Sequence, residues 1–205
     1  MYQAGLLLSG CGLYDGAEIH EAVLAMLAVD RKGWKCRCLT IDRAQLHVVD
    51  HTTGNEKEGE ERNVMEEAAR LSRGRVDLLR PGLGEELDLL MVPGGYGCPK
   101  NLMTCFMEPG KPRELLPEVS QLLGHFLRER KPIGLISLAD ILLQPMVPDL
   151  EERLAGGQGA GDPVVIEDQR IVYTPGYRGH DRIGKVFAGI EAVVDTLEKF
   201  LEMGA

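Results

Sequence analysis

Chemistry in this chain would centre on Ser137. The stretch Lys131-Pro-Ile-Gly-Leu-Ile-Ser-Leu-Ala-Asp140 reads as a buried apolar strand running directly into a helix. A short strand, one small nucleophile-capable residue and a helix form the layout of a nucleophile elbow. The residue at such an apex is expected in strained backbone geometry with its side chain exposed. A serine hydroxyl is essentially un-ionised near neutral pH and needs a neighbouring base to attack a carbonyl. A hydroxyl left idle at a tight turn is the alternative.

Several residues could serve that elbow. The pair Gly94-Gly95 follows an apolar strand and would let a ligand approach the backbone closely. The amides of Leu138 and of Gly94 or Gly95 could hold a developing oxyanion. Lys100 and Asn101 could bind a carboxylate or carbonyl oxygen, or cap the next segment. His180 precedes the last helix and could act as base in a triad with Ser137 and one carboxylate. It reads equally as a surface histidine near a helix start. Asp15 as N-cap with Glu18 three residues later resembles a capping box, which gives Glu18 a structural role.

Other motifs carry less. Gly10-Cys-Gly12 lacks the third glycine and the later acid of a dinucleotide fingerprint, so no cofactor is expected. His47, His51 and His125 show no metal-ligand spacing, and no metal is expected. Cys11 lies in a glycine-rich loop, where it reads as a buried structural thiol or a substitute nucleophile.

These residues depend on alternating strands and helices for their positions. Apolar runs predict strands at 4–9, 34–40, 46–50, 87–92 and along the elbow strand, and helical periodicity predicts helices at 17–31, 62–73, 115–130 and 182–203. The runs 164–166 and 171–173 flank Glu-Asp-Gln-Arg as a β-hairpin. A polar stretch around 108–113 reads as a surface excursion, and 145–162 as a Gly/Pro/acid-rich mobile segment. Alternating βα units predict an α/β fold with a parallel sheet covered on both faces. Such sheets bind ligands beyond the carboxyl ends of their strands. The loops after Ser9 and Val92 and the elbow at Ser137 are therefore expected to converge.

With 205 residues, the chain suits a single domain spanning 1–205. A net charge of −9 argues against nucleic acid or an anionic membrane as partner. No apolar run is long enough to span a bilayer, and the first residues show no secretory signal. The five cysteines have an odd count and scattered spacing, which suggests a reducing, cytoplasmic compartment. Cys36 and Cys38 are expected on opposite faces of their strand.

The ordered motifs resemble a family. Ser9-Gly-Cys-Gly-Leu-Tyr-Asp-Gly-Ala-Glu-Ile-His-Glu-Ala-Val23 is similar to the N-terminal signature of the enhancing lycopene biosynthesis (ElbB-like) proteins, on the PfpI branch of the class I glutamine amidotransferase-like superfamily. His51-Thr-Thr-Gly54, Arg62-Asn-Val64, Glu67-Ala-Ala-Arg70, Val92-Pro-Gly-Gly-Tyr-Gly97, Lys100-Asn-Leu102, Lys131-Pro-Ile-Gly134 and Thr174-Pro-Gly-Tyr177 follow in order. The resemblance implies a flavodoxin-like three-layer sandwich with a mostly parallel central sheet. It implies a small carbonyl or carboxylate ligand, glyoxalase-type conversion of glyoxal to glycolate in some members, and a homodimer. It also implies a cysteine at the elbow, where this chain has Ser137, and a proline where it has Asp140. The segment between the elbow and the final hairpin is shorter than the family pattern. In the superfamily a glutamate from the first helix touches the elbow thiol. Spacing favours Glu21 for that place, with Glu18 the alternative. The missing thiol implies weak or lost carbonyl chemistry, with a serine hydrolase or a non-catalytic binding protein as rivals.

Overall fold

The computed structural model describes residues 1–104, 114–155 and 163–203. Cys105, the stretch 108–113 and the end of the 145–162 segment lie outside the described residues. A seven-stranded sheet runs in the order β5-β2-β1-β6-β7-β9-β8. Its strands are β1 (Gln3–Leu7), β2 (Lys35–Thr40), β5 (Val76–Leu78), β6 (Leu89–Val92), β7 (Ile133–Ile136), β8 (Val164–Ile166) and β9 (Ile171–Thr174). Every pairing is parallel except the β8–β9 hairpin. A separate antiparallel pair joins β3 (Val49–Asp50) to β4 (Asn55–Glu56).

Alternation along the strands splits the core in two, because successive side chains point to opposite faces. On β1 and β6, Leu6, Leu89 and Met91 pack beneath α1 (Ile19–Arg31) and α6 (Ile183–Met203), while Leu7, Leu90 and Val92 pack on the other side with α4 (Pro117–Arg128). Helices therefore cover both faces, giving the flavodoxin-like three-layer architecture. The same alternation corrects the expectation for Cys36 and Cys38. Residues two apart on a strand share a face, and these two thiols line one groove.

The expected strands and long helices form, with shorter ends. Also present are α2 (Val64–Leu71), α3 (Gly97–Asn101) and α5 (Leu150–Ala155). Of these, α5 falls inside the segment expected to be mobile; Leu150 and Leu154 lie one turn apart and are both buried, which anchors it. The elbow leads into a 3-10 helix, Ser137–Leu142, in place of the expected α-helix.

Strand order reverses at β1, with β2 and β5 to one side and β6, β7 and β9 to the other. A crevice at the carboxyl ends of β1 and β6 follows from this reversal. β9 runs parallel to β7, so the loop after Thr174 opens at the same end. No helix among the described residues is long and apolar enough to cross a membrane.

Candidate functional site

Ser137 sits at φ 54°, the left-handed region, directly after β7. A non-glycine residue held there costs roughly 1–3 kcal/mol and persists only where its surroundings fix it. Three arginines, Arg73, Arg130 and Arg170, share that conformation, but none of them is buried. Ser137 is only 5% exposed, so the apex is covered rather than exposed as the sequence suggested.

The double-glycine loop packs directly on the elbow. A Cβ placed on Gly94 would stand 2.7 Å from Glu21 Oε2, 2.8 Å from Ser137 Cβ and 2.9 Å from the Leu138 amide nitrogen. Any residue larger than glycine would push these groups apart. The Gly10–Gly16 loop is zipped to the same loop by backbone hydrogen bonds. The Glu18 amide donates to Gly94 O (2.8 Å), the Tyr96 amide to Leu13 O (2.8 Å) and the Gly97 amide to Gly16 O (2.9 Å).

Glu21 is the carboxylate that faces the elbow. It is fully buried. Its Oε2 accepts from the Gly94 amide at 2.9 Å, and its Oε1 from the Tyr177 amide at 3.0 Å. Burial pushes the carboxyl up to about 7, against the lowering pull of those two amides; Glu18 raises it further, and the Ser137 hydroxyl's hydrogen bond lowers it slightly. Near neutral pH the group therefore exists in both protonation states. Gly176, at φ 52°, lies so close to Glu21 Oε1 that a Cβ there would collide with it.

Glu18 lies beside Glu21 but acts on the helix. It is the N-cap of α1, and its Oε2 accepts from the Glu21 amide at 2.7 Å. The capping box expected from Asp15 does not form. Asp15 instead accepts from the Val49 amide at 2.8 Å, tying the glycine loop to β3.

A cavity of about 340 Å³ opens over this floor, lined by Leu13, Tyr14, Glu18, Glu21, Gly95, Tyr96, Ser137, Leu138, Tyr177 and Arg178. The Gly94 amide is engaged by Glu21 and is lost as an oxyanion donor. Among the described residues, the Gly95 and Leu138 amides have no protein acceptor and remain available.

Four candidates stand elsewhere. His180 does not line the cavity; its amide donates to Gly176 O, and its imidazole makes no hydrogen bond or ion pair among the described residues. The turn at Gly176–Arg178 carries His180 past the opening. Asn101 is a buried clasp, with Nδ2 donating to Ser9 O and Asp15 O at 2.8 Å each and Oδ1 accepting from the Leu46 amide at 3.1 Å. These contacts tie the glycine loop to the segment before β3 and use the amide group internally. Lys100 Nζ donates to Tyr14 O at 2.7 Å, so it too fixes that loop from behind. Cys11 is half-buried outside the cavity, and burial raises its thiol. Cys98 is buried, with its thiol pushed up to about 12 by desolvation. No thiol among the described residues lines the cavity.

The sequence reading missed the rim. Tyr14 and Tyr96 stack at 6.4 Å between ring centroids, and Tyr177 OH hydrogen-bonds His20 Nδ1 at 2.9 Å. Arg178 reaches Asp140 Oδ1 and Oδ2 at 3.2 and 3.3 Å, and Ser137 O at 3.5 Å. Asp140 thereby clamps the elbow helix to the loop after β9. Burial raises its carboxyl, and Arg178 opposes that shift. The Thr174-Pro-Gly-Tyr177 motif marks this turn in the sequence, but not that its strand lies beside the elbow strand.

The chain is 33% identical to the mitochondrial ES1 protein homolog of Rattus norvegicus, over 98% of this chain and 84% of that protein. A crystal structure of an isoprenoid biosynthesis protein with an amidotransferase-like domain, from Ehrlichia chaffeensis, superposes with a TM-score of 0.85 at 30% identity, covering 97% of this chain and 99% of the other. The chain belongs to the ElbB-like family of class I glutamine amidotransferase-like proteins. A human relative, the mitochondrial glutamine amidotransferase-like class 1 domain-containing protein 3, is 39% identical over 78% of this chain. This ElbB-like chain spans 59% of that protein's length and 55% of a zebrafish mitochondrial ES1 protein. A DJ-1 superfamily protein from Salmonella typhimurium shares the fold at 18% identity and a TM-score of 0.52. No protein-family model matches the chain.

The cytoplasmic expectation is overturned. The rat, human and zebrafish relatives are all named as mitochondrial proteins. Scattered free cysteines indicate a reducing compartment, and that inference does not separate cytosol from mitochondrial matrix.

Proposed function

We propose that this ElbB-like protein binds a small carbonyl or carboxylate compound over Ser137, and that glyoxalase-type turnover is weak or lost. The observation that carries this reading is the company of the Ser137 hydroxyl. Its titratable neighbour is the Glu21 carboxyl, and neither an imidazole nor a thiol lines the cavity among the described residues.

The reasoning is one of nucleophile strength. A carboxylate near pKa 7 is far too weak a base to ionise an alcohol, whereas it could assist a thiol. The same groups suit binding. Protonated Glu21 can donate a hydrogen bond to a ligand oxygen, the free Gly95 and Leu138 amides can hold it, and Arg178 at the rim can meet a carboxylate. The whole chain, 1–205, is read as one domain built around this site. Ile19, Val23 and Leu27 form an exposed apolar stripe on α1, and a second copy of the chain is the partner it suits; light scattering should give a dimer mass.

A panel of small oxo acids and aldehydes, tested by thermal shift, should raise the melting temperature of the wild type. Arg178→Ala should lose the shift for carboxylates and keep it for neutral carbonyls. A fluorophosphonate probe should leave Ser137 unlabelled. Labelling at Ser137 that vanished in His180→Ala would replace this reading with a serine hydrolase.

A further inference from the structure

Away from the cavity, three sulfur atoms meet in a second groove. Met26 descends from α1, and Cys36 and Cys38 rise from the same face of β2. Cys38 Sγ lies 3.8 Å from Met26 Sδ, and Cys36 lines the same groove beside them. The groove is about 480 Å³, open to solvent, floored by these side chains and bordered by Asp30, Leu71, Arg73 and Arg75.

A disulfide does not suit this pair. Side chains two apart on a strand stand roughly 6.6 Å apart at Cβ, whereas a disulfide needs about 3.5–4.5 Å. Sulfur atoms that can turn toward one another without bonding can share a third atom. Three sulfurs around a metal at about 2.3 Å lie roughly 3.8–4.0 Å from each other, which the Met26–Cys38 separation matches.

We propose that Met26, Cys36 and Cys38 form a binding site for a soft monovalent metal ion of the copper(I) type. Thiolate and thioether ligands suit soft ions of this kind and not hard ones such as magnesium. Binding breaks two S–H bonds, releases both protons to solvent and forms three metal–sulfur bonds, with no change of oxidation state. Two thiolates and one monovalent cation leave a single negative charge, which Arg73 and Arg75 on the groove wall offset. The open groove gives the ion its way in.

The test is an anaerobic titration of the reduced full-length protein with copper(I) against the chelator bicinchoninate. The wild type should retain one equivalent, with three sulfur neighbours by X-ray absorption. Cys36→Ala and Cys38→Ala should each lose that equivalent. The volume-conserving Met26→Leu should keep it less tightly, with two sulfur neighbours. Cys36→Ala alters a partly exposed side chain, so its fold is expected to survive; circular dichroism checks this. The proposal is overturned if the wild type retains no copper, if the folded Cys36→Ala variant retains as much, or if Met26→Leu leaves the sulfur count unchanged.

Discussion

At the floor of the cavity, Glu21, Gly94, Ser137 and Gly176 are held against one another by backbone groups. Each oxygen of Glu21 takes a main-chain amide, and the two glycines leave no room for a Cβ. At the rim, Leu13, Tyr14, Tyr96 and Arg178 expose much of their surface, and Tyr96 is 46% exposed. The floor keeps the geometry of a reactive centre, including a serine in left-handed backbone. The rim side chains stand open to solvent above backbone that is itself tied down.

The sharpest break of the floor is Gly176→Ala. It places a Cβ against Glu21 Oε1 in a backbone region that disfavours alanine, and should cost about 3–4 kcal/mol in denaturant unfolding. Glu21→Gln comes next. Its amide group sets an N–H against one of the two backbone donors, at a cost of about 1–3 kcal/mol.

The same variant tests the pH account. Unfolded Glu21 titrates near its ordinary value of 4.5 and the folded group near 7, so the native state binds the extra proton between them. That contribution is full below pH 4.5, falls as pH rises and is gone above about 7. It amounts to up to about 3 kcal/mol. Subtracting the Glu21→Gln stability profile from that of the wild type should isolate a fall confined to this window; a flat difference would remove the buried acid from the account.

Ser137→Gly should relieve the left-handed strain and stabilise the protein by about 0.5–1 kcal/mol, allowing for the added freedom of the unfolded chain. At the rim, Tyr96→Ala should change stability by no more than about 0.5 kcal/mol while shrinking ligand-induced melting shifts. A rim substitution that unfolded the protein would erase the distinction between the two regions.

The sequence displayed the floor more clearly than the rim for a physical reason. Leu89–Val92 and Ile133–Ile136 are apolar throughout because they are buried on both faces, and each ends at a small residue where the chain turns. Those runs put Gly94 and Ser137 at the same end of neighbouring strands. Tyr14, Tyr96 and Tyr177 come from loops, where periodicity says nothing. Arg178 and the clamp on Asp140 depended on β9 lying parallel to β7, a pairing that a hairpin pattern leaves open. Asn101 and Lys100 looked like ligand-binding groups because their residue types fit a ligand as well as they fit a loop. Only the distances to Ser9, Asp15 and Tyr14 assigned them to structure. The short β5 escaped notice because Val76–Leu78 is three partly exposed residues at a sheet edge.

The proposed function stands on the floor having no usable nucleophile, a serine hydroxyl with a carboxyl and no imidazole beside it among the described residues. Glyoxal consumption by the purified wild type and by Ser137→Cys, measured side by side, tests it most directly. No turnover above background is expected for the wild type, and measurable turnover for Ser137→Cys. Robust wild-type turnover that disappears in Ser137→Ala would contradict it.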